Sequence, residues 1–300
     1  MPKSPLRYPG GKQKAISQIS RCIPQHFQEF REPFVGGGAV LFHVLRNHPQ
    51  IPCWINDLNP ELYYFWATVQ TNLTELVGRV QQIKVNSHDG RLLFKELATV
   101  APSSLSDLER AARFFVLNRI TFSGTIESGG YSQASFTDRF TESSINRLAA
   151  LAGSFNHTKI TNLDYSDLLE AGGKDVFIFL DPPYLSKTHS RLYGKKGALH
   201  TKFDHHRFAE TVKQCQHKWL ITYDDCPEIR ANFADYYIYE WELQYGMNNY
   251  KQATAKKGKE LFITNFDLDP IYNLENLEKS FEASFDNSLR KYDLVGQIIE

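Results

Sequence analysis

Residues 176–180 are apolar without interruption, follow Gly172-Gly173 and end at Asp181. A run this short and uniform suits a strand buried on both faces. Residues 30–35 predict another short strand, feeding Gly36-Gly37-Gly38, after which Ala39–Asn47 takes helical spacing. Residues 52–56 form a second apolar stretch that ends at Asp57. Further on, residues 159–161 open a second block, 204–216 read as a helix started by Asp204, and 219–223, 236–240 and 261–266 supply more strands. Strands alternating with helices predict a parallel sheet, hence an α/β fold.

The middle of the chain differs. Residues 61–84 and 105–120 carry the helical period, with Leu105, Leu108, Ala112, Phe115 and Val116 on one stripe of the second. Residues 121–140 are rich in Gly, Ser and Thr and predict a hairpin or long loop. Residues 143–152 resume as a helix, and 274–285 read as a short helix or as a segment without fixed structure.

Composition narrows the class. Charged residues at 23% and aromatics at 13% are ordinary for a globular chain, which argues against wholesale disorder or coiled coil. No apolar run approaches the ~18 residues of a membrane-spanning helix. The first 12 residues hold charges and turn formers but no apolar core, so no signal peptide is expected. Cys22, Cys53, Cys215 and Cys226 show no CxxC spacing and predict free thiols in a cytoplasmic setting, with no metal.

The 34 basic and 34 acidic side chains cancel, which alone gives no reason to expect a polyanionic partner. Their distribution does. The charge is +4 over residues 1–14, +5 over 186–213 and −5 from Thr264 onward. Local positive patches decide where phosphates dock. Solvated charged faces would explain any single run equally well.

Two constellations carry chemistry. In Glu32-Pro-Phe-Val-Gly-Gly-Gly38, glycines stand at a strand-to-helix turn, where they allow close backbone approach to a ligand. Asp57 follows Gly36 by 21 residues, the spacing at which a carboxylate meets ribose hydroxyls. Leu41 stands where the dinucleotide fingerprint has its third glycine, so a nucleoside without a pyrophosphate fits better than a dinucleotide. The second constellation is Asp181-Pro-Pro-Tyr184 at the end of the buried strand. A carboxylate and a proline carbonyl supply two acceptors for a planar amine, the prolines stiffen the turn, and a ring offers a π-face. A plain turn after a strand could use the same residues.

Four segments together resemble the Dam-type DNA adenine-N6 methyltransferases with the alpha-class motif order: Leu6-Arg-Tyr-Pro-Gly-Gly-Lys12, Glu32 to Gly38, Ile55-Asn-Asp57-Leu-Asn59, and Asp181 to Tyr184. The resemblance covers roughly residues 3–266 and implies a Rossmann-like S-adenosylmethionine-dependent methyltransferase sheet with an inserted helical target-recognition domain. The boundaries expected are 1–60 and 156–270 for the catalytic domain, 61–155 for the inserted domain with its Gly-rich hairpin, and 271–300 for an acidic tail. The resemblance also implies roles. Tyr8, Lys12, Phe34, Gly36, Gly38, Asp57, Asp164, Tyr165 and Asp181 would hold S-adenosylmethionine, with Asp167 a rival to Asp164. Asp181, Pro182, Pro183 and Tyr184 would receive a flipped adenine, Tyr184 stacking on the ring.

For double-stranded DNA, the candidate contacts are Arg119, Ser123, Thr125 and Tyr131, with Glu127 beside them, and the basic Lys187, Arg191, Lys195 and Lys196. A polar stretch at 245–250 is a further candidate for the target pocket, and a turn would explain it as well. The stretch after Asn118-Arg119 departs from relatives that read GATC, which leaves the target sequence open. A cognate restriction endonuclease is a candidate cellular partner, and a monomer is expected. RNA or protein glutamine as methyl acceptor, a silent DNA-binding protein and a nicotinamide-dependent oxidoreductase stand as alternatives.

Overall fold

A computed structural model describes residues 3–126, 129–185, 203–243 and 258–268. Its centre is a seven-stranded sheet in the order β3-β2-β1-β4-β5-β7-β6. The strands are β1 Glu29–Glu32, β2 Cys53–Asn56, β3 Thr158–Thr161, β4 Val176–Leu180, β5 Lys218–Asp224, β6 Tyr237–Leu243 and β7 Gly258–Thr264. The first five run parallel, and β7 pairs antiparallel with both β5 and β6. From β1 the chain winds outward through β2 to β3. It then returns to place β4 on the other side of β1. The carboxyl ends of β1 and β4 therefore face a switch point, the crevice where open α/β sheets bind ligands.

β4 explains its own apolar run. All five of its residues are buried. Phe177 and Phe179 join one core with Phe30, Phe65, Trp66 and Phe115, while Ile178 and Leu180 face a second core with Phe208, Trp219 and Tyr223. Side chains alternate across a strand, so only a strand covered on both faces needs apolar residues at every position. Each such large side chain contributes about 1.5–3 kcal/mol on burial.

The α-helices among the described residues are α1 Ile16–Ile19, α2 Ala39–Asn47, α3 Pro60–Thr71, α4 Leu73–Asn86, α5 Gly90–Thr99, α6 Asp107–Ile120, α7 Gln133–Arg139, α8 Glu142–Ala149, α9 Tyr165–Glu170, α10 His205–Gln214 and α11 Pro227–Asn232. The helix expected over 61–84 is two. Asn72 leaves helical geometry at φ −139°, its N–H closing on Thr68, and α4 starts again beyond it. The sequence reading missed α5 because Asp89-Gly90 looks like a turn. Asp89 is instead an N-cap that accepts from the N–H groups of Arg91 and Leu92. Of the hairpin or loop expected over 121–140, the described residues show a bridge from Thr121 to Tyr131, followed by α7. Asp204 caps α10 as the sequence predicts, accepting from Arg207 N–H at 2.9 Å.

Sheet and helical middle share a core. Phe65 and Trp66 of α3 sit in the same cluster as Phe30 of β1 and Phe177 of β4. Gln70, also on α3, donates to the carbonyls of Phe155 and Thr158 at 2.8 and 2.6 Å. These bonds fix where the chain leaves the helices and re-enters the sheet at β3. No helix among the described residues is long and apolar enough to cross a membrane.

One charged side chain ties the layers together. Arg31 of β1 is 1% exposed. Its Nη1 donates to the carbonyls of Leu168 and Ala171 at 2.7 Å each, its Nη2 to Gly172 at 2.8 Å, and its Nε to Glu29 at 2.6 Å. The guanidinium thus anchors the connection that leads from α9 into β4. Arg31→Met keeps the stem but takes the guanidinium from the carbonyls of Leu168 and Gly172, Ala171 keeping His217 Nε2 at 2.9 Å, and is expected to cost about 3–5 kcal/mol of stability, read as a lower urea midpoint. An unchanged midpoint would contradict this role.

Candidate functional site

The turn after β1 is built around glycine. Gly36 and Gly38 adopt φ of +47° and +70°, the left-handed region that other residues enter only with strain. Space matters as much as angle. A Cβ on Gly36 would lie 2.9 Å from Tyr8 Cε1, and one on Gly37 would lie 2.9 Å from Tyr8 Cβ. The glycines therefore admit the Tyr8 side chain against the backbone. Trp66 Nε1 fixes the turn from below, donating to the Gly36 carbonyl at 3.1 Å.

Asp57 closes the same turn. Its Oδ2 accepts from Gly36 N–H and its Oδ1 from Asn59 N–H, both at 3.0 Å. The spacing of 21 residues is thus a direct contact. Burial pushes the Asp57 carboxyl up to about 6, with the Asn59 and Gly36 N–H groups pulling the other way. Beside it, Leu58 and Leu163 are 55% and 40% exposed, leaving apolar side chains next to a carboxylate with acceptor capacity. That combination suits the ribose and base of a nucleoside. Asn56, buried one residue earlier, binds the two loops together: its Nδ2 donates to the carbonyls of Pro33 and Leu163, and its Oδ1 accepts from Leu163 N–H.

At the end of β4 stands Asp181. Lys12 Nζ lies 2.6 Å from Asp181 Oδ1, and Thr222 Oγ1 donates to the same oxygen at 2.9 Å. Both contacts converge on Oδ1, which turns Oδ2 toward any incoming donor. The Lys12 ammonium also stands 4.8 Å from the centre of the Tyr184 ring. Pro182 is buried and Pro183 partly exposed between them. Tyr184 donates from its hydroxyl to Glu260 Oε2 at 2.7 Å and is only 7% exposed. Burial, then the charges of Asp181 and Glu260, raise its phenol well above the usual range. The next N–H, of Leu185, donates to Asp224 Oδ1 at 3.0 Å and fixes the exit from the motif.

Glu32 lies under both halves. It is 3% exposed and accepts from Leu41 N–H at 3.0 Å. Burial and the nearby Asp181 push its carboxyl well above the usual range, with Asp57 adding to the rise. The sequence reading gave no role to Glu32, Thr222 or Glu260. A lone hydroxyl in an apolar strand, and single acids at a strand end and a strand interior, were the available signals.

Asp164 and Tyr165 sit at the start of α9. Asp164 caps the helix, accepting from Ser166 N–H at 3.1 Å, and pairs with Arg207 at 2.8 Å. Against the upward push of burial, the Arg207 and Ser166 hydrogen bonds hold its carboxyl below the usual range. Tyr165 and Phe34 lie 5.6 Å apart, centroid to centroid, in one aromatic group with Phe203 and Phe208. Phe34 thus joins the turn after β1 to α9.

The expected DNA contacts separate. Ser123 is partly exposed, in a left-handed conformation at φ 54°. Tyr131 is partly exposed, with its hydroxyl 2.5 Å from Gln133 Oε1 and the Arg91 guanidinium 5.4 Å from its ring. Thr125 is buried, its hydroxyl donating to the Phe122 carbonyl at 2.8 Å. Arg119 points inward and is 3% exposed, donating to the Pro5 carbonyl and to Asn118 Oδ1. Burial, then Arg147, Arg7 and Arg139, pull its guanidinium down to about 9. Arg119 and Thr125 are thus held by backbone carbonyls and not presented to a groove. Phe122, which the sequence reading passed over, is 69% exposed. Lys187, Arg191, Lys195, Lys196, Glu127 and residues 245–250 lie outside the described residues, as does the tail. No group of His, Cys, Asp and Glu among the described residues could hold a metal ion.

The model of the D12 class N6 adenine-specific DNA methyltransferases matches residues 8–247. The Type II methyltransferase M1.LlaDCHI of Lactococcus lactis subsp. cremoris is 24% identical over 288 residues, covering 87% of this chain and 94% of that protein. The DNA N-6-adenine-methyltransferase of Escherichia phage P1 is 26% identical over 242 residues, 78% of this chain but 31% of the phage protein. The Modification methylase StsI of Streptococcus sanguinis is 25% identical over 303 residues, 96% of this chain and 41% of that protein.

Asp57 supplies a pH test. Its protonation removes a charge and an acceptor, so affinity for a nucleoside ligand, with S-adenosylmethionine as the probe, is expected to weaken as pH falls through about 6. Isothermal titration between about pH 8 and about pH 5 should show a loss approaching tenfold per unit at the acid end. In Asp57→Asn the profile should be flat and the affinity low throughout. A flat profile in the unaltered protein would count against Asp57 as the ligand carboxylate.

Proposed function

This chain belongs to the D12 class N6 adenine-specific DNA methyltransferase family, and we propose that the residues at the β1/β4 switch point carry the reaction of that family. The observation that carries the assignment is the Asp181 carboxylate. It is anchored through Oδ1 by Lys12 and Thr222, beside the Tyr184 ring, at the place where the sheet opens a crevice.

S-adenosylmethionine would supply an electrophilic methyl group. Asp57 and the turn at Gly36–Gly38 fit its ribose and methionine parts, with Tyr8 and Phe34 as aromatic walls. Leu58 and Leu163 would flank the nucleobase. Asp164 with Tyr165 would stand at the far end of that base. The target adenine has to leave the duplex, which costs a few kcal/mol in lost stacking. Tyr184 would return about 1–3 kcal/mol of that by stacking. The ammonium of Lys12 now covers the ring and contacts Asp181, and so keeps the place that the base would take.

Once the base is seated, Asp181 Oδ2 and the Pro182 carbonyl accept the two hydrogens of its amine. The nitrogen lone pair is then drawn out of conjugation with the ring and becomes available as a nucleophile. Forming the bond from nitrogen to the methyl carbon would break the methyl–sulfur bond, leaving the thioether; the positive charge on the nitrogen would be stabilised by the fixed carboxylate of Asp181 until the amine gives up one proton. Glu260 holds the Tyr184 hydroxyl and thereby the ring plane.

Double-stranded DNA is the partner this reading requires. Ser123, Tyr131 and the basic residues Lys187, Arg191, Lys195 and Lys196 remain its proposed contacts. By role, residues 61–155 form the target-recognition part and 1–60 with 156–270 the catalytic part, α3 being shared through its core packing. Four free thiols fit a cytoplasmic setting, and a monomer suffices for one flipped base. A cognate endonuclease is a partner worth seeking in the same cell.

The test is transfer of labelled methyl from S-adenosylmethionine to unmethylated genomic DNA, with the modified bases mapped. Methyl on adenine at one short motif is the expected outcome. Transfer to RNA or protein alone would overturn the reading. Asp181→Asn keeps an acceptor but loses the charge, and should lower kcat about 10²–10³-fold while cofactor still binds. Tyr184→Leu should lose more activity than Tyr184→Phe. The Phe variant should still unfold earlier, because the buried hydrogen bond from Tyr184 to Glu260 is lost at a cost of about 1–3 kcal/mol. Equal activities of the Leu and Phe variants would argue against stacking.

A further inference from the structure

We propose that Asn118 couples the loop residues 122–126 to the catalytic pocket, so that DNA seated on the loop tightens the hold on cofactor and base. The inference rests on the reading above, in which Tyr8 and Lys12 belong to that pocket and the loop faces DNA.

The geometry is a clamp on a short strap. Asn118 lies at the end of α6 and is fully buried. Its Oδ1 accepts from Arg7 N–H at 2.9 Å, and its Nδ2 donates to the Arg7 carbonyl at 2.8 Å. One amide thus satisfies both backbone groups of Arg7, as a neighbouring strand would. The same Nδ2 donates to the Gly124 carbonyl at 3.1 Å, which brings the loop into the clamp. Arg119 completes it, reaching the Pro5 carbonyl and, at 3.2 Å, Asn118 Oδ1. The approach is close. A Cβ on Gly124 would lie 2.2 Å from the Arg7 carbonyl oxygen, and Gly124 itself has φ +75°.

The strap is short and leads straight into the site. Tyr8 follows Arg7 directly and lies on Gly36 and Gly37. Gly11 N–H closes a turn on the Tyr8 carbonyl at 3.0 Å, and Lys12 then reaches Asp181. At the other end, Arg7 Nη1 donates to Ser135 Oγ of α7 at 3.2 Å. Displacing the loop therefore displaces Arg7, and with it the side chains that cover the glycine turn and the Tyr184 ring. Asn118 touches neither cofactor nor base. It is a positioning residue, and its signature is a coupling free energy between two ligands.

The test measures affinity for S-adenosylmethionine without DNA and with a saturating duplex that carries the mapped target. In the unaltered protein the duplex is expected to tighten cofactor binding at least about fivefold. Asn118→Ala should bring that ratio below about twofold, changing the DNA-free affinity less than the DNA-bound one. Asn118→Asp, which keeps the acceptor and loses both donations, should fall between them. A merely structural role would lower stability and leave the ratio intact, and that result in a folded variant overturns the proposal. If neither variant folds, hydrogen exchange on the unaltered protein decides: the duplex should slow amide exchange at residues 5–12 together with 33–38, and protection confined to the loop overturns it. A duplex that accepts methyl but leaves the ratio near one overturns the coupling alone. No methyl transfer to any DNA would overturn the underlying assignment as well.

Discussion

One ammonium group holds the site together. Glu32, Asp57 and Asp181 meet at the ends of neighbouring strands, where burial and mutual repulsion raise Glu32 and burial raises Asp57. Lys12, itself 6% exposed, stands 2.6 Å from Asp181. Asp181 is 20% exposed, so loss of the ammonium would leave its carboxylate compensated in part by water and by Thr222. The rest of the site follows from bringing that ammonium in. Lys12 arrives on the strap that carries Tyr8, the glycine turn leaves room for the strap, and Asn118 with Arg119 fastens its other end.

Polar side chains inside the fold do most of the placing. Arg31 ties β1 to the connection before β4, and Asn56 ties the turn after β1 to the loop after β3. Both are buried; Asn56 donates to the carbonyls of Pro33 and Leu163, and Arg31 to three backbone carbonyls and the Glu29 carboxylate. Buried polar groups of this kind specify one arrangement of loops, where apolar packing alone would tolerate several. In the same way, the site is held at the sheet by β1 and β4 and at the strap by Asn118 and Arg119.

The sheet and the site were unequally legible. β4 was readable residue for residue, because a strand covered on both faces has no polar position to blur its limits. Asp57 and the glycine turn were readable because backbone conformation and a fixed chain spacing leave direct traces. The split of the 61–84 helix was not, since Asn72 is tolerated within a helical pattern as readily as at its end. Nor was α5, whose capping Asp89 and first residue Gly90 look like a turn when nothing shows that Phe136 fills the space beside them.

By itself, the sequence determined which residues are proposed to carry the chemistry: the glycines, Asp57, and Asp181 through Tyr184, all marked by short-range geometry or by position at a strand end. The tertiary structure decided which groups complete them. Thr222, Glu260 and Glu32 come from separate elements, and only the strand order β1-β4-β5-β7 brings their side chains to one crevice. It also decided which way a charge faces. A basic residue beside a loop looks available for a phosphate, but Arg119 is turned inward by the carbonyl of Pro5, more than a hundred residues away in the chain. Such a contact depends on how the ends of distant elements meet, and no local pattern records it.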